Sequence, residues 1–165
     1  MRLTRTLPLI ALLSLSTQTM AQRDGFGLGF ILGEPTGISF KGWLNDTRAI
    51  DGAVAWDLNH NNTLNLHADY LFHNYDLIRV NKGALPLYFG PGVRFRAWQD
   101  GRYWRHGEWH DTEGRADLAF RFPVGLAYQF DRAPLDVFLE FAPAIGLLPA
   151  TYFDIDGGLG MRYWF

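Results

Sequence analysis

The chain has 165 residues, no cysteine, and 15 lysines and arginines against 17 aspartates and glutamates. Without cysteine it can form no disulfide framework, no thiolate metal site and no lipid attachment at a lipoprotein-type cleavage site. The charge balance gives no basic excess for nucleic acid, and the length suits a single domain.

Residues 1–21, "MRLTRTLPLIALLSLSTQTMA", read as a targeting segment. Arg2 and Arg5 make a positive head, Leu7 to Leu15 an apolar core, and Thr19-Met20-Ala21 a cleavage site. The apolar run is shorter than the roughly 20 residues a membrane helix needs, so cleavage is expected rather than an N-terminal anchor. The domain then spans residues 22–165, with 13 basic residues against 17 acidic ones.

Alternating hydrophobicity broken by turn residues divides this domain into eight segments. "GFGLGFILG" sets Phe26, Leu28, Phe30 and Leu32 against glycines, and "EPTG" follows as a turn. In "ISFKGWL", Ile38, Phe40 and Leu44 oppose Ser39, Lys41 and Trp43, before the turn "NDTR". "AIDGAVAWDL" sets Ile50, Val54, Trp56 and Leu58 against Asp51, Ala53, Ala55 and Asp57, and "NHNN" turns the chain again. "TLNLHADYLF" opposes Leu64, Leu66, Tyr70 and Phe72 to Asn65, His67 and Asp69.

After a linker containing "RVNKG", the fifth segment sets Leu85, Leu87, Phe89, Val93 and Phe95 against Tyr88, Gly90, Gly92, Arg94 and Arg96. A long polar loop is expected from Gln99 to about Gly114. The sixth segment, "DLAFRFPVGLAYQF", carries apolar residues from Leu118 to Phe130 opposite Ala119, Arg121, Gly125, Ala127 and Gln129. "DRAP" leads to "LDVFLEFAPAIGL", where Leu135, Val137, Leu139, Phe141 and Ile145 oppose Asp136, Glu140, Ala142 and Ala144. The last segment, "TYFDIDGGLGMRYWF", sets Phe153, Ile155, Leu159, Met161, Tyr163 and Phe165 against Asp154, Asp156, Gly158, Gly160, Arg162 and Trp164.

An even number of such segments, each of about ten residues, predicts an all-β, eight-stranded antiparallel transmembrane barrel with up-and-down topology. The alternative is a soluble barrel with the apolar face inward. Side-chain size favours the first, because an eight-stranded barrel has an interior only just wide enough for side chains. A face of Phe, Tyr, Leu and Ile at nearly every position is too bulky for it, whereas glycine and alanine mixed with a few long charged residues fit. Pro86, Pro91, Pro123 and Pro143 fall inside proposed strands and predict bulges or kinks, beyond which the inward and outward assignment slips by one.

The domain resembles the small eight-stranded outer-membrane barrels of the OmpA/OmpX-like group. The stretches "ILGEPTGISFKGWL", "AIDGAVAW", "PVGLAYQF" and "PLDVFLEFAPAIGLLP" look, more narrowly, like a poorly characterised family of such barrels in spirochaetes and proteobacteria. The chain end is similar to the closing strand of outer-membrane proteins, with a terminal aromatic and alternate apolar residues. By that resemblance Leu159, Met161, Tyr163 and Phe165 form the signal read by the barrel-assembly machinery. The resemblance implies a Gram-negative-type outer membrane, lipid contact and no catalytic motif.

The inward charges are Lys41, Arg94, Arg96, Arg121 and Arg162, with Asp51, Asp57, Asp69, Asp136, Glu140, Asp154 and Asp156. A buried charge needs a partner, so a paired network without a continuous pore is expected; an ion path or polar-ligand cavity is the alternative. Counting outward from "DRAP" sets Glu140 across from Gly125 and Asp136 across from Gln129. His67 and Asp69 share a face, as an acid/base pair would, although an interior hydrogen-bond pair is the simpler reading. In the 99–114 loop, His106, Glu108 and His110 alternate onto one extended face and offer two imidazoles and a carboxylate to a metal. The simpler reading is a polar external loop whose Trp104 and Trp109 lie near the membrane interface or bind a protein or glycan. Ser39 is the single serine after the signal and no His-x-Ser pair exists, which argues against a serine hydrolase. The expectation is a monomeric, non-enzymatic membrane barrel without a cofactor, in a structural or surface-interaction role; a small-solute or lipid-handling barrel is the alternative.

Overall fold

The computed structural model describes residues 24–165 except 58–62, 99–100, 106–107 and 113–114. For strand residues 56–57, 63, 98, 101–105, 108–112 and 115 only the backbone is described. The expected signal segment, and the turn "NHNN", lie outside the described residues.

Twelve strands make eight staves and one hairpin. They are β1 (Phe26–Glu34), β2 (Gly37–Asn45), β3 (Arg48–Asp57), β4 (Thr63–Asn74), β5 (Leu87–Phe89), β6 (Gly92–Trp98), β7 (Gly101–Arg105), β8 (Glu108–Thr112), β9 (Arg115–Arg121), β10 (Val124–Gln129), β11 (Leu135–Leu148) and β12 (Tyr152–Trp164). β5 and β6 together form the fifth stave, and β9 and β10 the sixth. Each stave pairs antiparallel with its sequence neighbours, and β12 returns to β1, with Gly27 opposite Trp164 and Glu34 opposite Gly157. The barrel is therefore a closed eight-stranded meander, and closure removes the exposed edges an open sheet would present. The last residue takes part, since the Phe165 N–H donates to the Phe26 carbonyl at 3.0 Å.

Period-two alternation decides which face is which. Phe30, Leu139 and Leu159, all on the outer face, are 45%, 45% and 51% exposed, while the intervening Ile31, Phe138 and Glu140 are buried. The same pattern holds round the barrel and leaves a continuous apolar exterior far larger than a water-soluble monomer presents. Outer-face aromatics cluster, Phe72 against Tyr70 and Phe89, Phe89 against Phe122, and Tyr163 against Phe165. Strands of 9 to 14 residues in β1 to β4, β11 and β12 match or exceed the roughly 9–11 a tilted strand needs to cross a bilayer.

The prolines do not produce the expected bulges. Phe72 opposes Phe89 and Asp69 opposes Gly92, so β5 and β6 keep one register against β4 across Pro91. The sixth stave does the same across Pro123 against β11, and β11 runs unbroken through Pro143. Proline's fixed φ suits an extended strand, and its carbonyl still accepts. Tyr70 N–H donates to Pro91 O at 2.9 Å, Gly90 N–H to Pro123 O at 3.1 Å, and Phe122 N–H to Pro143 O at 2.9 Å. Each proline costs only the reciprocal bond, and the alternation does not slip. The register shifts that do occur lie elsewhere, at Trp43/Asn45 and Gly146/Leu148.

The 99–114 segment also departs from the expected loop. It contains the hairpin β7–β8, a separate two-stranded sheet with Trp104 opposite Trp109 and Tyr103 opposite His110.

Candidate functional site

The inner face of the barrel holds the polar chemistry. Its described cations are Lys41, Arg94, Arg96, Arg121 and Arg162; its acids are Asp51, Asp69, Asp117, Asp136, Glu140, Asp154 and Asp156. The Asp57 side chain lies outside the described residues. Arg94, Arg121 and Arg162 are among the largest wholly buried side chains, beside Tyr88, Lys41 and Phe138.

Three groups of pairs fill the lumen. At the end away from the termini, Arg94 and Arg96 reach from the fifth stave to Asp154 and Asp156 on the eighth. Arg94 Nη1 lies 2.6 Å from Asp156 Oδ1 and Arg94 Nη2 3.1 Å from Asp154 Oδ2; Arg96 holds the same two carboxylates at 2.6 and 2.9 Å. In the middle, Arg121 donates to Glu140 and lies 3.3 Å from Asp69, while the Tyr88 hydroxyl donates to Glu140 at 3.0 Å. Nearer the termini, Arg162 donates to Asp51, lies 3.6 Å from Asp136, and stacks 3.8 Å over the Phe138 ring. Trp164 Nε1–H donates to Asp136 at 3.2 Å.

Lys41 takes a different partner from the carboxylates expected for it. Its ammonium donates to His73 Nε2 at 2.7 Å and sits 5.0 Å from the Trp43 and Tyr88 ring centroids. His73 Nδ1 lies 3.3 Å from the Thr47 carbonyl, which suits the tautomer with hydrogen on Nδ1 and a free acceptor at Nε2.

Small residues make these reaches possible. Gly125 opposes Glu140, and a Cβ at Gly125 would run into the Tyr88 ring. Gly92 opposes Asp69, and a Cβ there would meet that carboxylate. Gln129 opposes Asp136. Gly92, Gly125, Gly158 and Gly160 on the inner face are thus clearance for large side chains on neighbouring staves.

His67 lies with its Nε2 3.8 Å from Asp69 Oδ2. Ser39 is buried on β2, two staves away, with Ala53 opposite both residues on the strand between them. Asp117 and His73 join the interior without having been singled out in the sequence, although both keep the inward phase of their strands. Of the residues expected to offer metal ligands in this segment, Glu108 and His110 belong to β8. His106, and the side chains of Trp104, Glu108, Trp109 and His110, lie outside the described residues.

A comparison with curated proteins finds no match. Among solved structures the chain is similar to the N-terminal β-barrel domain of Pseudomonas aeruginosa OprF, with a TM-score of 0.57 and 14% identity. The match covers 85% of this chain and 95% of that one, and at such identity it is a likeness of fold. It agrees with the closed eight-stranded barrel. Residues 17–160 match a family model, and the chain belongs to the family described as "Protein of unknown function (DUF3996)".

Proposed function

We propose that this chain is an integral outer-membrane barrel with a plugged, non-conducting interior and a membrane-structural or surface-interaction role. The observation that carries this reading is the burial of Arg94, Arg121 and Arg162 in ion pairs, of which Arg94–Asp156 and Arg162–Asp51 join staves that are not neighbours and so cross the lumen. Eight staves enclose little more than the volume of their inward side chains, and here three guanidinium groups, Tyr88 and Phe138 occupy it. In this reading the cleaved signal exports residues 22–165, the barrel-assembly machinery reads Leu159 to Phe165, and both termini face the periplasm. The short β1–β2 and β11–β12 connections and the β7–β8 hairpin then face outward, so recognition of a surface ligand falls to the hairpin. The narrower likeness to barrels of spirochaetes and proteobacteria fits the same role, without catalysis, and with a single chain as the working unit.

Two measurements test this. The purified domain, folded in detergent, should migrate differently on cold and boiled SDS gels and show no unitary current steps in planar bilayers. Discrete steps would replace the plugged barrel with a small-solute channel. A second test separates lipid from water outside the barrel: Leu139→Arg should cost about 2–4 kcal/mol of stability in lipid vesicles. In a water-facing position the same change would leave the unfolding midpoint where it was.

A further inference from the structure

Asp51 on β3 and Asp69 on β4 are direct cross-strand partners, both on the inner face and both buried. Like charges placed directly opposite each other weaken a strand pair, and here each is offset by a different guanidinium, Arg162 at Asp51 and Arg121 at Asp69. His67, two residues before Asp69 and on the same face, completes a group. One ligand atom from each of Asp51, His67 and Asp69 lies within 4.8 Å of the others. His67 and Asp69 are more than nine-tenths buried, yet among the described residues His67 Nδ1 makes no hydrogen bond and neither Asp69 carboxylate oxygen accepts one. Asp69 Oδ1 has the Arg121 Nε contact at 3.3 Å as an ion pair only, and buried polar atoms seldom go without a hydrogen bond in a low-dielectric interior.

We propose that Asp51, His67 and Asp69 bind one divalent transition-metal cation inside the barrel, with Zn²⁺ as its representative. Two carboxylates and an imidazole make a three-ligand set that Zn²⁺ accepts at about 2.0–2.2 Å, which puts ligand atoms roughly 3.3 Å apart, so side-chain rotations have to shorten separations that now reach up to 4.8 Å. The imidazole favours such a metal over Mg²⁺ or Ca²⁺, which prefer oxygen alone. Charge agrees, because the seven described inward acids outnumber the five described inward cations by two. The nearby guanidinium groups keep other partners when the cation binds. Arg162 retains Asp136, and Arg121 retains Glu140, with Asp156 4.0 Å away. The cation would fasten β3 to β4 at the point where their facing carboxylates repel.

The test uses the mature chain refolded in detergent after chelation, with and without ZnCl₂ during refolding. Calorimetry should show one Zn²⁺ per chain, MgCl₂ should not compete, and the Tm should rise with Zn²⁺ concentration. X-ray absorption of the zinc-loaded wild type should show one imidazole with oxygen neighbours. His67→Ala should weaken binding by about tenfold or more, and Asp69→Asn, closer in shape, should do the same if His67→Ala does not give a heat-modifiable band. The His106→Ala, His110→Ala double variant should bind as wild type does. No bound zinc after either refolding route overturns the proposal. So does a first shell with two imidazoles, or loss of binding only in the double variant, either of which assigns the metal to the hairpin. None of these outcomes depends on whether the barrel conducts.

Discussion

Arg162→Met should destabilise the folded barrel by about 3–5 kcal/mol, the usual cost of removing one member of a buried ion pair. Methionine keeps much of the length of the arginine stem, so packing alone accounts for little of the loss. What disappears is the charge that Asp51 and Asp136 share, and both carboxylates stay wholly enclosed. Arg96→Met provides the contrast. Its side chain is 15% exposed at the far end, and Arg94 still holds Asp154 and Asp156 after it goes, so the expected cost is about 1 kcal/mol. Urea titrations in lipid vesicles would read both as midpoint shifts at constant slope. Asp51→Asn added to Arg162→Met should recover part of the loss, and the cycle of four proteins isolates the pair. Equal costs for Arg96→Met and Arg162→Met would sink the description of a graded interior that is dry at Arg162 and wetter at Arg96.

Inside and outside are legible in the sequence because a strand has period two and the outward-facing set is uniformly large. The tight connection after Phe130 also makes one register countable, and β10 and β11 pair Gln129 with Asp136 and Gly125 with Glu140. Which charges meet across the lumen is another matter. Arg94 reaches Asp156, 62 positions away, and Arg162 reaches Asp51, 111 positions away. Those meetings depend on the stagger and tilt of the closed barrel, which no spacing along the chain encodes. Lys41 illustrates the point: a cation on the inward face, it faces His73, a residue just beyond the apparent end of its strand at Phe72. The prolines mislead for a different reason. A missing N–H is a real defect in a ladder, but three carbonyls at corresponding positions continue to accept, and the chain has no need of an extra residue. The β7–β8 hairpin hides because its polar residues carry no apolar phase to count.

Gly160→Val should prevent folding, or cost about 3 kcal/mol or more, while Gly157→Val on the same strand should leave a normal heat-modifiable band. The two glycines lie on opposite faces of β12. A Cβ at Gly160 would run into the Phe138 ring and meet the Phe30 carbonyl oxygen at 2.5 Å, whereas at Gly157 the nearest atoms are 3.5 Å away. The ring cannot simply turn aside, because the Arg162 guanidinium lies over it and is held by Asp51. Overpacking at Gly160 therefore travels into the charge network. Phe138→Ala should relieve the side-chain part of the clash in Gly160→Ala but leave the carbonyl part, so the double variant folds with reduced stability. A cold-versus-boiled gel on the single valine variants decides the matter. If both fold alike, the inward glycines are not clearance for the side chains of the neighbouring stave, and the polar face owes its glycine to something other than the shape of the lumen.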